Sequence, residues 1–99
     1  MEINYQHNLT QEQAYSKINE FLSELQQKYA NKISDPIKKW NSAHTQMEFG
    51  MGILGFKGIK GTIFLTQKEV KVVGKIPFLA RLFSGKIEQI IKQQLEDLL

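Results

Sequence analysis

At 99 residues, 41% of them hydrophobic and 23% charged, the chain has the size and balance of one soluble domain with a single core. It contains no cysteine, which excludes a disulfide framework, a thiolate metal site and a cysteine nucleophile. No apolar run approaches the roughly 20 residues that span a bilayer, and the opening MEINYQHN lacks the features of a secretory signal, so a cytoplasmic protein is expected.

The net charge of +3 is unevenly placed: residues 1–27 sum to −3, residues 28–86 to +8 and residues 87–99 to −2. A basic middle segment can meet phosphate, an anionic lipid surface or an acidic partner. Lysine on solvated strands also serves simply to keep sheet edges from associating.

In chain order, Ile3 and Tyr5 alternate with polar neighbours and predict a short strand over Glu2 to His7. A helix start follows at once. Thr10 suits the N-cap, Gln13 completes a capping box, and Glu12 complements the positive end of the helix dipole. Ala14, Ile18, Phe21, Leu22, Leu25 and Tyr29 then recur at helical spacing, which predicts one amphipathic helix ending near Asn31. Asp35-Pro36 predicts a turn, because a residue before proline avoids helical angles. Ile37 to Trp40 reads as a strand and Asn41 to Ala43 as its turn. From His44 the chain alternates again, with Met47, Phe49, Met51 and Ile53 sharing a face. Gly50 and Gly52, followed by Gly55, Gly58 and Gly61, predict a strongly curved sheet that wraps around a helix.

The stretch from Gly58 to Phe83 is the centre of the design. Ile59, Gly61, Ile63 and Leu65 alternate with Lys60, Thr62 and Phe64; beyond a turn at Gln67 and Lys68, Val70, Val72, Gly74 and Ile76 alternate with Lys71, Val73 and Lys75. Two such β-branched runs predict an antiparallel hairpin with one buried face. Pro77 opens the last segment, where a first helical turn tolerates proline. Phe83, Ile87, Ile90, Ile91, Leu95 and Leu98 form a second helical stripe. Gly85 costs that helix about 1 kcal/mol relative to alanine, so a start at Ser84, with Phe78 to Phe83 as a separate turn, is the alternative.

Each stripe carries about five large apolar side chains worth roughly 1.5–3 kcal/mol apiece on burial. Neither helix is stable alone in water, and a sheet with one apolar face supplies the partner. The expected fold is a single α+β domain over residues 1–99, a curved antiparallel sheet of about five strands in the order β-α-β-β-β-β-α. Its N-terminal and C-terminal helices pack on one face of the sheet.

Catalytic chemistry finds little support. His7 and His44 are the only histidines, and no H-x-x-x-H spacing offers zinc ligands. His7 precedes the first helix, where it can hold the strand-to-helix turn. Glu20 and Glu24, and Glu96 beside Asp97, have the spacings of solvated faces, and no G-x-S-x-G elbow occurs. Neither a metal, a cofactor nor a catalytic group is expected. Gly55-Phe56-Lys57-Gly58 and Gly58-Ile59-Lys60-Gly61 echo the G-x-x-G loop of KH domains, but they lead into a strand rather than joining two helices, which argues against nucleic acid. The remaining signal is apolar: Phe56, Phe78, Leu79, Leu82 and Phe83 exceed what one helix stripe needs, and Lys75, Arg81 and Lys86 flank them. Aromatic and cationic residues together suit an interface that is apolar on one side and anionic on the other. The same side chains could equally fill the core where strand meets helix.

At these residues the chain resembles the polyhydroxyalkanoic acid system family of small bacterial proteins, encoded near polyhydroxyalkanoate granule genes. The similarity runs through His7-Asn8-Leu9 and Ala14, Trp40, and Met47-Glu48-Phe49, then the long motif Gly58 to Val72. It continues through Phe78-Leu79, Phe83-Ser84-Gly85-Lys86-Ile87-Glu88 and the ending Leu95-Glu96-Asp97-Leu98-Leu99. The resemblance implies a role in polyhydroxyalkanoate granule biology, with the granule surface or granule proteins as partners.

The leading expectation is a non-enzymatic protein that binds or regulates a granule or membrane-like surface. Phe78, Leu79, Leu82 and Phe83 would insert, and Lys75, Arg81 and Lys86 would meet anions. The alternative is a carrier of a small hydrophobic acyl ligand, held in a helix-grip-like pocket between sheet and helix. A homodimer or protein-interaction module using a strand edge is the third reading.

Overall fold

A computed structural model describes residues 1–75, 81 and 84–99. Strand β1 (Glu2–Gln6) leads into helices α1 (Gln11–Asn19) and α2 (Phe21–Lys28). Four further strands follow: β2 (Ile33–Trp40), β3 (Gln46–Ile53), β4 (Phe56–Leu65) and β5 (Glu69–Lys75). Helix α3 (Ser84–Leu98) closes the chain order. All neighbouring strands are antiparallel, in the spatial order β1-β5-β4-β3-β2. The architecture is α+β, as the alternation and the two stripes predict.

The predicted inner face is the observed one. Ile3, Met47, Phe49, Met51, Ile53, Ile59, Ile63, Leu65, Val70 and Val72 are buried against Ala14, Ile18, Phe21, Leu22 and Leu25 from α1 and α2. Ile87, Ile90, Ile91, Leu95 and Leu98 of α3 join the same core. Among the described residues, these side chains pack between the sheet and the helices.

Three local features depart from the sequence reading. The first helix is not continuous: Glu20 ends α1 and caps α2, with φ −86° and ψ −4°. The cause lies at Asn19, whose carbonyl oxygen accepts a hydrogen bond from the Lys38 ammonium and whose Oδ1 accepts one from Trp40 Nε1 at 3.0 Å. Groups from β2 thus take up the last turn of α1, and an outside donor entering the helical ladder breaks it. The predicted capping box at Thr10 and Gln13 is present in both directions, at 3.1 Å each.

Asp35-Pro36 is the second departure. It forms no chain-reversing turn but a bulge inside β2, where the register slips between Ser34 and Ile37 and Asp35 takes φ +49°. Proline lacks the donor a central strand needs, and an edge strand with a bulge accommodates it. Third, the Gly55 and Gly58 segment is a hairpin corner. Leu54 and Gly55, with φ of +55° and +84°, form the two-residue turn between β3 and β4, and Gly58 at φ +80° lies beside a second register slip. The two bulges flank β3 at Met51 and Gly52, and each bends its strand locally. Pro77, Ile76 and the turn read over Phe78 to Phe83 lie outside the described residues, apart from Arg81. Helix α3 begins at Ser84, the later of the two starts considered.

Lys28 and Asp97 form an ion pair joining α2 to α3. Their shared hydrogen bond holds the Lys28 ammonium above its ordinary range and the Asp97 carboxyl below its own, with Gln93 assisting the latter.

Candidate functional site

All three described helices lie against one side of the sheet, so the side chains of the other side face outward. Strand alternation sets which they are, and the register sets their rows. One row runs Ile37, Gly50, Lys60, Lys75; the next runs Lys39, Glu48, Thr62, Val73, Glu2; a third holds Gln46, Phe64, Lys71 and Asn4. A groove of about 520 Å³ crosses the first two rows. Ile37, Lys39, Gly50, Lys60, Val73 and Lys75 are among its lining residues.

Two properties mark this face. Its apolar side chains are exposed: Ile37 by 66%, Phe64 by 38% and Val73 by 37%. Its cations are unequally compensated. Lys39 is directly opposite Glu48, and Lys71 is ion-paired with Glu2 at 2.9 Å. Lys60 is directly opposite Lys75, a like-charge juxtaposition that destabilises a sheet. Among the described residues neither of these two lysines makes an ion pair, although Glu48 lies diagonal to Lys60. Gly50 leaves room for the Ile37 side chain to lie across it, since a Cβ there would come within 3.1 Å of Ile37 Cγ1.

Of the residues singled out in the sequence, the structure places Lys75 in this groove. Phe56 starts β4 at the hairpin corner and is half-buried against the core rather than in the groove. Lys86 is exposed in the first turn of α3, and Arg81 is exposed. Phe78, Leu79, Leu82 and Phe83 lie outside the described residues. Sequence reasoning overlooked Ile37, Lys39, Gly50, Lys60 and Val73 as a set. The signal for Lys60 and Val73 was the alternation itself, which put them opposite Ile59 and Val72.

Both histidines are engaged elsewhere. His7 is buried; its Nδ1 accepts from the Leu9 amide at 3.2 Å, which leaves the hydrogen on Nε2 to donate to the Thr66 carbonyl at 2.9 Å. It therefore ties the β1–α1 turn to the β4–β5 turn. His44 stacks on Tyr15 with ring centroids 4.0 Å apart and meets Trp40 edge-on. Among the described residues no three His, Cys, Asp or Glu side chains converge on a common point for a metal. No helix of the described residues is long and apolar enough to cross a membrane.

Fold and face together define a class: a small α+β protein with its described helices on one side of a five-stranded sheet and, on the other, exposed apolar residues and two lysines without an ion pair among the described residues. Comparison with known families gives the particular membership. The chain belongs to the family described as "Putative polyhydroxyalkanoic acid system protein (PHA_gran_rgn)", whose family model matches residues 1–99. The family name links it to polyhydroxyalkanoate systems, as the resemblance through Gly58 to Val72 implied. No curated protein and no solved structure matches the chain.

Proposed function

We propose that this is a non-enzymatic binding protein of polyhydroxyalkanoate systems, which docks on the granule surface through the open face of its sheet. The observation that carries the reading is the row Ile37, Gly50, Lys60, Lys75, where an exposed apolar side chain adjoins two cations without an ion pair among the described residues. A binding surface can be apolar on one side and anionic on the other. Ile37, Phe64 and Val73 suit the first, and Lys39, Lys60 and Lys75 the second. The engagement of His7 and His44 in structural contacts supports a binding role rather than acid–base chemistry.

Co-sedimentation with purified polyhydroxybutyrate granules and with anionic vesicles, each at low and high salt, tests the proposal. Granule binding should survive salt in part, because apolar contact is not screened, whereas vesicle binding should be lost. Ile37→Ser combined with Val73→Thr should remove the salt-resistant fraction while leaving the fold intact, since both side chains are exposed. Granule binding indifferent to these substitutions would refute the assignment of the face.

A further inference from the structure

We propose that the groove seats one alkyl carboxylate, with its two oxygens shared between Lys60 and Lys75 and its chain lying against the exposed Ile37 side chain that covers Gly50. The inference rests on the surface-binding reading, since it uses the same face, and it names the ligand class that face recognises.

The geometry starts from the pairing of β4 with β5. Directly opposite residues of an antiparallel pair have Cβ atoms about 4.5–5.5 Å apart, and Lys60 and Lys75 are such a pair. Like charges on directly opposite residues repel, and an anion between them relieves that repulsion. A carboxylate offers one oxygen to each, in charge-assisted hydrogen bonds stronger than neutral ones. Backbone donors are already engaged, because β4 is an interior strand whose backbone is paired with β3 and β5, and the other side-chain donors of the groove, Lys38, Lys39 and Thr62, belong to β2 or to the next row. The ammonium groups are therefore the recognition elements, and they sit at one end of the groove.

Along the row from Lys60 towards β2 the groove is lined by Gly50 and Ile37, while Lys39, Glu48 and Thr62 line the adjoining row. Ile37 projects from the edge strand beside the bulge at Asp35-Pro36, and its side chain lies over Gly50. Val73 borders the groove from β5. A volume of about 520 Å³ falls within the range of small-molecule sites, about 300–1,000 Å³. The other charges on this face leave the seat cationic. Glu48 is opposite Lys39, Glu2 is held by Lys71, and Glu69 lies at the far end opposite Gln6.

An amide-resolved NMR titration of the full chain with decanoate, kept below its micelle concentration, tests the seat. Inorganic phosphate and decanol are titrated in parallel, and the proteins are wild type, Lys60→Gln and Lys75→Gln. The expected result is decanoate-induced shifts centred on Gly50, Lys60, Gly61, Val73 and Lys75, with about tenfold weaker binding in each glutamine variant. Phosphate, lacking the chain, and decanol, lacking the charge, should both bind more weakly than decanoate. Shifts centred elsewhere, affinity unchanged in the variants, or decanol or phosphate binding as tightly as decanoate would overturn the proposal. Granule pelleting of the same three proteins separates the two readings. Pelleting without decanoate binding removes the seat alone, and loss of both in the wild type removes the surface reading as well.

Discussion

Lys75→Glu offers the sharpest test of the sheet register and of the role given to its open face. In the wild type Lys75 is directly opposite Lys60, and neither has an ion pair among the described residues. The substitution removes a like-charge pair and creates an opposite-charge one. Cross-strand pairs of this kind are worth roughly 0.2–1 kcal/mol each, so the two changes together should stabilise by about 1 kcal/mol. In a domain of this size, that raises the melting temperature by roughly 4–8 °C. A glutamate at 75 would lie diagonal to Glu2, which Lys71 already pairs, whereas one at 60 would lie diagonal to Glu48. Thermal unfolding at low salt should show the gain, and high salt should shrink it by screening two solvent-exposed charges. Lys75→Gln, which only removes repulsion, should give about half the gain. The stabilised variant should lose affinity for an anionic surface, as expected where a protein keeps an unfavourable pair for binding. A Lys75→Glu protein that melts lower than wild type at low salt would refute the pairing and the charge reasoning built on it.

Gly61→Ala should cost about 1–3 kcal/mol, measured by urea unfolding, because the new Cβ would lie 2.6 Å from both the Phe49 ring and the Val73 carbonyl oxygen. Gln94 is buried with its Oε1 unpartnered among the described residues and its Nε2 reaching Glu24 only at 3.5 Å. Gln94→Met should therefore raise the unfolding midpoint, by about 1 kcal/mol in free energy, and a fall would show that the amide oxygen is satisfied in solution. Asp97→Asn should lower the melting temperature slightly at neutral pH. Asp97 has a folded-state pKa below its ordinary value through its bond to Lys28, so its contribution is present above the ordinary carboxylate range and is lost as pH falls through the depressed value. The wild-type advantage should disappear in strong acid, and its persistence there would contradict the ion pair as cause.

The buried half of the molecule was legible because its signals are periodic. Alternation through Ile59, Ile63, Leu65, Val70 and Val72 named the inner face, and the stripes through Ile18, Phe21 and Leu25 and through Ile87, Ile91 and Leu95 named what covers it. The break at Glu20 was invisible for a physical reason. It depends on Lys38 and Trp40 reaching Asn19 across about twenty residues of sequence, a tertiary contact that leaves helical spacing unchanged. Asp35-Pro36 carried a local turn signal, but strand pairing on both sides converted it to a bulge. The groove was the hardest feature to foresee. Alternation assigns Lys60, Val73 and Lys75 to the outward face, yet only the register makes Lys60 and Lys75 neighbours and carries Ile37 to Gly50. The apolar run Phe78 to Phe83, also singled out in the sequence, lies outside the described residues apart from Arg81.

The central claim, that the open sheet face is the docking face, is tested most directly by lysine footprinting of the protein on and off polyhydroxybutyrate granules. Acylation with a small reagent, read residue by residue by mass spectrometry, reports each exposed ammonium. Granules should protect Lys39, Lys60 and Lys75 on the open face, while Lys17 on α1 and Lys92 on α3 keep their free-protein reactivity. Protection of Lys17 and Lys92 with Lys39, Lys60 and Lys75 left reactive would place the granule against the helices and contradict the account.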